Sequence, residues 1–210
     1  MKINLKTLVT TGALFFSLAL LPMSCGVFCN DSCGCGASFP EQFFRIRSFE
    51  LFTSAFDGQR IFPDDSQPWD QYYKGFRVDQ FDLISDITAP KSTWGVALAC
   101  DPAPPKSEKK LNAIRIINLK VESIGNGMIL EVGQDITDLF GMNFFFSQGL
   151  EPIQGFISAG RELYLDQLFK LGFKNDPGRD LTLSLSISFI LEDGTEFTFL
   201  NEPFTIQTKS

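Results

Sequence analysis

Alternating apolar and polar residues predict that most of this chain folds into β-strands. The clearest alternation lies in residues 181–189, where leucine, isoleucine and phenylalanine occupy every second position and threonine or serine the positions between them. Period-two alternation of this length is typical of a strand with one buried face. Asp193 and Gly194 follow this strand and predict a type I′ hairpin turn. Residues 197–199 then belong to the returning strand, which completes a C-terminal hairpin.

Further segments rich in aromatic and β-branched residues also predict strands. They span residues 43–52, 76–84, 94–100, 113–123 and 128–132. The pattern as a whole predicts an all-β protein, and within that class an immunoglobulin-like β-sandwich of about seven strands. A partly closed barrel is the alternative architecture.

Residues 135–175 form an insertion before the C-terminal hairpin, and we expect this insertion to be partly helical. Asp135 is placed to cap a short helical turn over residues 135–140. Residues 162–171 carry apolar side chains at helical spacing. The insertion also contains the apolar run 144–146, three phenylalanines that would mark a partner or membrane contact if they were exposed. Burial of this run is the interpretation we favour, because an exposed triple phenylalanine promotes aggregation.

The N-terminus has the features of a secretory signal peptide. Lys2 and Lys6 form a small basic front, and an apolar stretch follows over residues 8–21. This stretch is short for a membrane-spanning helix, which needs about 20 apolar residues, but it suits the core of a signal peptide. A buried N-terminal helix is the alternative, and the lack of a polar outer face argues against it.

The end of this segment, residues 21–25, reads Leu-Pro-Met-Ser-Cys and resembles the lipobox of bacterial lipoproteins. In that family a small residue precedes a cysteine that receives diacylglycerol and becomes the mature N-terminus, so the resemblance implies lipidation of Cys25. Pro22 departs from the pattern, since the family usually has leucine three positions before the cysteine. Plain secretion is the alternative, although Pro22 suits ordinary signal cleavage poorly.

These features divide the chain into three parts. We expect a lipoprotein signal peptide over residues 1–24, a lipid-anchored Cys/Gly-rich tether over 25–40 and a single β-sandwich domain over 41–210. Removal of the signal peptide leaves 186 residues, which is enough for one domain with a proper core.

The charge of the chain limits its partners. Loss of Lys2 and Lys6 with the signal peptide moves the formal net charge from −7 to −9. An acidic chain disfavours nucleic acid, whose phosphates require a basic surface. The membrane would be contacted through the lipid anchor only, with about 0.8 kcal/mol for each buried methylene. Residues 26–28 lack an acidic cluster of the kind that marks surface export, which favours an outer-membrane location on the periplasmic face over the cell surface.

Five cysteines occur in the chain, and four remain if Cys25 carries lipid. An even number of cysteines in an exported protein predicts disulfides. A bridge between Cys33 and Cys35 would close a strained ring, so we expect one of that pair to bond Cys100 and the other to bond Cys29. The alternative is that residues 29, 33 and 35 form a thiolate cluster for a soft metal or a redox pair.

Three motifs resemble a family of uncharacterised lipoproteins from Bacteroidetes-type bacteria. They are Cys-Gly-Cys-Gly at residues 33–36 after the lipobox, Ala-Cys-Asp-Pro at residues 99–102, and Gly-x-Asp-Ile-Thr-x-x-Phe at residues 133–140. The resemblance covers most of the mature chain. It implies a lipid-anchored location in the cell envelope and supports the predicted fold, and it implies no activity.

The chain contains no histidine. This excludes Ser-His and Cys-His nucleophiles, imidazole zinc sites and the usual proton shuttle at neutral pH. We therefore predict a non-enzymatic, lipid-anchored cell-envelope protein with a binding or structural role and no cofactor, whose partner is a glycan or another envelope protein. A carboxylate-based glycan-acting enzyme and a cysteine-cluster metal or redox lipoprotein are the alternatives.

The candidate ligand contact is the aromatic group Trp69, Tyr72 and Tyr73, which follows a proline-rich loop. Aromatic faces beside carboxylates and amides suit a sugar-binding or protein-binding patch. The alternative is that these side chains close one end of the sandwich. The aspartates near residues 79–86 and 135–138 lack EF-hand spacing, and we interpret them as solvated surface groups without a metal.

Overall fold

The computed structural model describes residues 41–62, 65–84, 104–125 and 127–209. The predicted signal peptide, the tether, the strand predicted over residues 94–100 and all five cysteines lie outside the described residues. The described residues from Gln42 onward belong to one compact unit.

Strands dominate the described part of the chain. The twelve strands found there are β1 (Phe43–Ala55), β2 (Gln67–Pro68), β3 (Tyr72–Leu83), β4 (Lys106–Ser107), β5 (Leu111–Asn118), β6 (Glu122–Ser123), β7 (Ile129–Leu130), β8 (Phe140–Phe144), β9 (Glu151–Pro152), β10 (Phe169–Phe173), β11 (Leu181–Leu191) and β12 (Glu196–Gln207). A 3₁₀ turn spans Thr137–Leu139, and a single helical turn, α1, spans Ile153–Phe156. No helix among the described residues is long and apolar enough to cross a membrane.

The strands form two main sheets whose apolar faces pack together. One sheet has the order β4-β1-β3-β10-β8-β9 and the other has the order β2-β12-β11-β5, while β6 and β7 form a separate pair. The long strands pair antiparallel, and only the short strands β4 and β2 pair parallel with their neighbours. The prediction of an all-β, sandwich-like fold is therefore confirmed.

Phenylalanine rings fill the space between the two sheets. Phe189 from β11 lies 4.9 Å from Phe49 of β1 and 4.6 Å from Phe76 of β3, measured between ring centroids. Phe76 in turn stacks on Phe169 of β10 at 5.1 Å. All four rings are buried. Aromatic pairs of this kind contribute about 0.5–1.5 kcal/mol beyond the burial of their area, so this cluster holds the sheets together.

A bulge in β12 changes which side chains of that strand point inward. Leu185 pairs with Glu202, whereas Ile187 pairs with Phe199, so β12 carries one residue more than β11 over this interval. Asn201 occupies the bulge with a φ of 59°, in the left-handed region that asparagine tolerates better than most residues. The extra residue brings Glu202 to the same interior face as Phe199.

Glu202 meets a buried lysine from the opposite sheet. Lys74 of β3 is 1% exposed, and its Nζ donates hydrogen bonds to Glu202 Oε2 and to Thr53 Oγ1, both at 2.9 Å. Burial lowers the pKa of Lys74, while the hydrogen bond and charge of Glu202 act in the opposite direction. The ion pair therefore compensates a charge that the fold has removed from water.

The C-terminal hairpin turn is not of the predicted type. Gly194 N donates to Leu191 O at 3.0 Å and Leu191 N donates to Thr195 O at 2.9 Å. Gly194 has a φ of 85°, but Asp193 is not among the described residues with positive φ. A type I′ turn requires positive φ at both central residues, so that prediction is wrong. The hairpin instead has a three-residue loop, in which a β-turn closed by the Gly194–Leu191 hydrogen bond ends in the left-handed glycine.

The predicted insertion contributes half of the larger sheet. A helical turn follows Asp135 as expected, but its N-cap is Ile136 and not Asp135. Asp135 Oδ1 instead accepts a hydrogen bond from Thr137 N at 2.9 Å, just before the turn. The helix expected over residues 162–171 is wrong, because Phe169–Phe173 is β10. Phe169 stacks in the core between neighbouring strands, and this packing outweighs the helical spacing of the sequence.

We expect the free energy of unfolding to depend on Lys74 and Glu202 together and not on each residue separately. Glu202→Leu leaves a buried ammonium group without its counter-ion, a change that typically costs about 3–5 kcal/mol; the lower end is expected, because 24% of the Glu202 side chain is exposed. The double variant Lys74→Met/Glu202→Leu removes both charges and should recover most of the loss. Urea unfolding monitored by circular dichroism measures both free energies.

The exposed pair Arg45–Glu108 provides the control for this cycle. Glu108→Leu should change the free energy of unfolding by no more than about 1 kcal/mol. If the Glu202→Leu variant and the double variant lose the same free energy of unfolding, the two residues are not coupled and the prediction is wrong.

Candidate functional site

The structure places the predicted aromatic contact residues largely inside the protein. Tyr72 is fully buried and packs edge-on against Phe204 of β12, with 4.9 Å between ring centroids. Tyr73 is also buried; its hydroxyl donates to the carbonyl of Asp70, and burial raises its pKa. Trp69 is half-buried against the core. This burial agrees with the alternative interpretation of the sequence, in which the three aromatic side chains pack within the sandwich and do not form a ligand contact.

The neighbouring carboxylates secure the end of the described chain. Asp176 accepts hydrogen bonds from Gly178 N and Thr208 Oγ1, both at 2.8 Å, and these bonds lower the pKa of Asp176. Lys209 Nζ forms an ion pair with Asp70. These groups hold the C-terminal residues against the sandwich, and each has a structural partner.

The triple phenylalanine divides between core and surface. Phe145 is buried and lies over Phe52 with 6.4 Å between ring centroids, whereas Phe146 is 84% exposed. Phe144 is half-buried and stacks on Phe169 at 5.3 Å. Burial of the run is therefore confirmed for Phe145 and wrong for Phe146.

The described aspartates form ordinary surface interactions. Asp82 pairs with Arg47, and Asp79 accepts a hydrogen bond from Ser48 Oγ at 3.1 Å. In the part of the chain that the structure describes, no group of three or more histidine, cysteine, aspartate or glutamate residues is placed to hold a metal ion.

A polar groove of about 640 Å³ opens beside α1. Ligand sites for small molecules typically enclose about 300–1,000 Å³. The groove is lined by Lys110, Glu151, Gly155, Phe156, Ser158, Gly160, Arg161, Glu162, Tyr164 and Gln167. All of these residues except Lys110 come from the segment between β8 and β10. This segment therefore forms both the edge strand β9 of the larger sheet and most of the wall of the groove.

Two consecutive left-handed residues shape the wall of the groove. Ala159 has a φ of 64° and Gly160 a φ of 77°. The following residue, Arg161, exchanges two backbone hydrogen bonds of 2.8 Å with Leu111. A Cβ atom added to Gly160 would lie 3.1 Å from Lys110 Cβ, so the stem of Lys110 lies directly against this glycine. A left-handed alanine costs about 1–2 kcal/mol, and strain of this kind is concentrated at functional sites.

Arg161 is the most firmly positioned charged group of the groove. Its Cζ lies 3.9 Å from the centroid of the Phe156 ring and 5.2 Å from that of Phe144, and its Nε donates to the carbonyl of Phe156 at 3.2 Å. Within the described residues, no carboxylate lies within 4 Å of this guanidinium and neither Nη atom is hydrogen-bonded to protein. The two terminal donors are therefore open to a ligand.

The remaining wall carries hydroxyl, amide and carboxylate groups. Tyr164 and Gln167 form a turn in which Gln167 N donates to Tyr164 O at 3.2 Å and Tyr164 N donates to Gln167 Oε1 at 3.3 Å. Glu162 forms a long ion pair of 3.7 Å with Lys106. Aromatic rings, one fixed cation and several polar groups can bind and orient a polar ligand.

Sequence patterns did not indicate this site. Arg161 immediately precedes the stretch whose spacing predicted a helix, Tyr164 lies within that stretch, and Lys110 lies about fifty positions away in the chain. The backbone exchange between Leu111 and Arg161 brings these regions together. The only local signal was Gly160 immediately before Arg161, and a single glycine is weak evidence for a site.

Comparison with protein-family models, with curated proteins and with solved structures found no match to this chain. The fold and the groove define it as an all-β, sandwich-like protein with a polar surface groove beside one helical turn.

We expect the strained turn to respond oppositely to substitutions at its two residues. Ala159→Gly relieves the left-handed alanine and should keep or raise the free energy of unfolding, by up to about 1 kcal/mol. Gly160→Ala should lower it by more than 1 kcal/mol (about the strain of one left-handed residue), because its Cβ also meets Lys110. Urea denaturation provides the comparison.

Gly155 serves as the control position, since its added Cβ meets nothing within 4 Å. Gly155→Ala should leave the stability nearly unchanged. A Gly160→Ala variant as stable as the unmodified protein would contradict the tight packing of Lys110 on this turn.

Proposed function

We propose that this chain is a lipid-anchored cell-envelope protein that binds a glycan in the groove centred on Arg161 and performs no chemistry of its own. The observation that carries the proposal is the guanidinium of Arg161, held between an aromatic ring and a carbonyl with its terminal donors open. A binding group that is already fixed loses less conformational entropy when the ligand arrives.

The proposed cellular location rests on the sequence. The basic front, the apolar stretch and the lipobox-like residues 21–25 support export and lipidation of Cys25. An outer-membrane location on the periplasmic face is proposed, together with membership of the family of uncharacterised lipoproteins that the three motifs resemble. Disulfides among Cys29, Cys33, Cys35 and Cys100 belong to the same proposal.

An immunoglobulin-like arrangement is the finer proposal for the fold. Seven of the described strands contain five or more residues, namely β1, β3, β5, β8, β10, β11 and β12. Two packed antiparallel sheets with about this number of strands support it.

Binding is favoured over catalysis by the chemistry of the available groups. The chain has no histidine, and an arginine stays protonated at any ordinary pH, so Arg161 orients anions but does not transfer protons. A carboxylate-based glycan-acting enzyme is the second candidate, because Glu151 and Glu162 line the same groove. Release of new reducing ends from an oligosaccharide, lost in Glu151→Gln or Glu162→Gln, would favour this enzyme.

Obstruction of the groove should abolish ligand binding. Ser158 is exposed and lines the groove, so Ser158→Trp fills the space without touching the core. The purified full chain is applied to an array of neutral, amino and acidic oligosaccharides. We expect the Ser158→Trp variant to lose at least about 90% of the retained signal, as expected for loss of about 1.4 kcal/mol or more.

The matched control is Thr182→Trp, which adds the same side chain to an exposed position of β11. This variant should bind as the unmodified protein does. No retention of any oligosaccharide, or equal retention by Ser158→Trp, would overturn the proposal of a glycan-binding groove.

Lipidation of Cys25 makes a separate prediction. Cys25→Ser removes the only thiol that the lipobox-like residues offer, so the protein should move from the membrane fraction to the soluble fraction and lose incorporation of labelled palmitate. Cys29→Ser is the control and should remain membrane-bound. Equal membrane association of both variants would contradict anchoring through Cys25.

A further inference from the structure

Arg161 and Lys110 bring two positive charges to one groove of this acidic chain. Several exposed arginines elsewhere are paired with carboxylates, as Arg45 is with Glu108 and Arg77 with Glu50. Within the described residues, neither Arg161 nor Lys110 has a carboxylate within 4 Å. Both line the same groove, so the groove holds two positive charges without a direct ion pair on a protein of net charge −7.

The geometry of Arg161 suits a planar anion. Its ring contact with Phe156 and its Nε bond to the Phe156 carbonyl leave the two Nη atoms as a fixed fork. A guanidinium fork binds a carboxylate through two parallel hydrogen bonds. Lys110 supplies a second, point-like charge, since its stem lies against Gly160 immediately before Arg161.

The other lining groups limit the class of anion. Glu151 and Glu162 are acceptors that suit the hydroxyl groups of a sugar, and they would repel a ligand with two or more negative charges such as a phosphate ester. Tyr164 and Gln167 add an aromatic face and an amide. A ligand with one carboxylate and several hydroxyl groups satisfies all of these residues.

We infer that the groove recognises a sugar that carries a carboxylate, of the uronic acid class. Arg161 binds the carboxylate, and Lys110 adds long-range electrostatic attraction. Glu151 and Glu162 accept hydrogen bonds from the ring hydroxyl groups, and Gln167 forms a further hydrogen bond with them. This inference rests on the proposed binding function, whose ligand it identifies by chemical class.

The methyl glycoside of galacturonic acid and the methyl ester of this glycoside are the matched probes, because each has one sugar ring and they differ only in the charge of a single carboxylate. Titration calorimetry with the purified full chain should give binding of the acid that is at least about tenfold tighter than binding of the ester, as expected for loss of one charge-assisted hydrogen bond. The affinity for the acid should also fall as NaCl is raised from 50 to 500 mM.

Arg161→Lys tests the fork directly. This variant keeps the charge and loses the planar pair of donors, so we expect at least about tenfold weaker binding of the acid with little change for the ester. Arg115→Lys is the control, since Arg115 is exposed on β5 outside the groove, and it should bind the acid normally.

The outcomes separate this inference from the proposed function. Equal binding of acid and ester, or groove-dependent binding of neutral oligosaccharides alone, would overturn the uronate inference and leave a glycan-binding groove in place. Binding of the acid that Ser158→Trp and Arg161→Lys do not alter would overturn the inference as well. If neither the acid nor any oligosaccharide on the array binds to the protein, both proposals are overturned.

Discussion

A continuous contact of aromatic rings, running from the centre of the sandwich to its surface, organises this protein. Phe189 packs on Phe76 across the two sheets, Phe76 stacks on Phe169, and Phe169 stacks on Phe144. Phe144 then meets Phe156 edge-on at 5.4 Å, and the guanidinium of Arg161 lies on the outer face of that ring. Because packed rings leave little room for adjustment, the position of Arg161 is set by the core. The groove is thus an outcome of how the sheets close.

The polar contacts in the interior select one arrangement of the sheets. Lys74 and Glu202 belong to different sheets and meet only if the bulge at Asn201 shifts the alternation of β12. Without this extra residue Glu202 would point outward, and a buried ammonium group would remain uncompensated. The ion pair therefore depends on the bulge that the left-handed Asn201 forms. Together they specify the register between β11 and β12.

Rigidity at the groove fits a binding role on an acidic protein. Arg161 is fixed by its ring contact and its backbone bonds to Leu111, so little side-chain freedom remains to be lost on binding. The negative charge elsewhere on the chain repels anions in general, whereas Arg161 and Lys110 place two positive charges without a direct ion pair at this groove. Under the proposed binding function, this local charge and the preorganisation of Arg161 would together provide the selectivity.

The sequence by itself determined the long strands β1, β3, β5, β11 and β12 and the C-terminal hairpin, because period-two alternation indicates directly which side chains face a core. It also determined the helical turn at Asp135, a local hydrogen-bonding feature. Only the tertiary structure decided that residues 169–173 form a strand, that Tyr72 is buried, and that Lys110 and Arg161 share a groove. These results depend on contacts between residues far apart in the chain, and such contacts leave no periodic signal in the sequence. The bulge at Asn201 was also decided by the tertiary structure, since an extra residue in β12 can be recognised only from its pairing with β11.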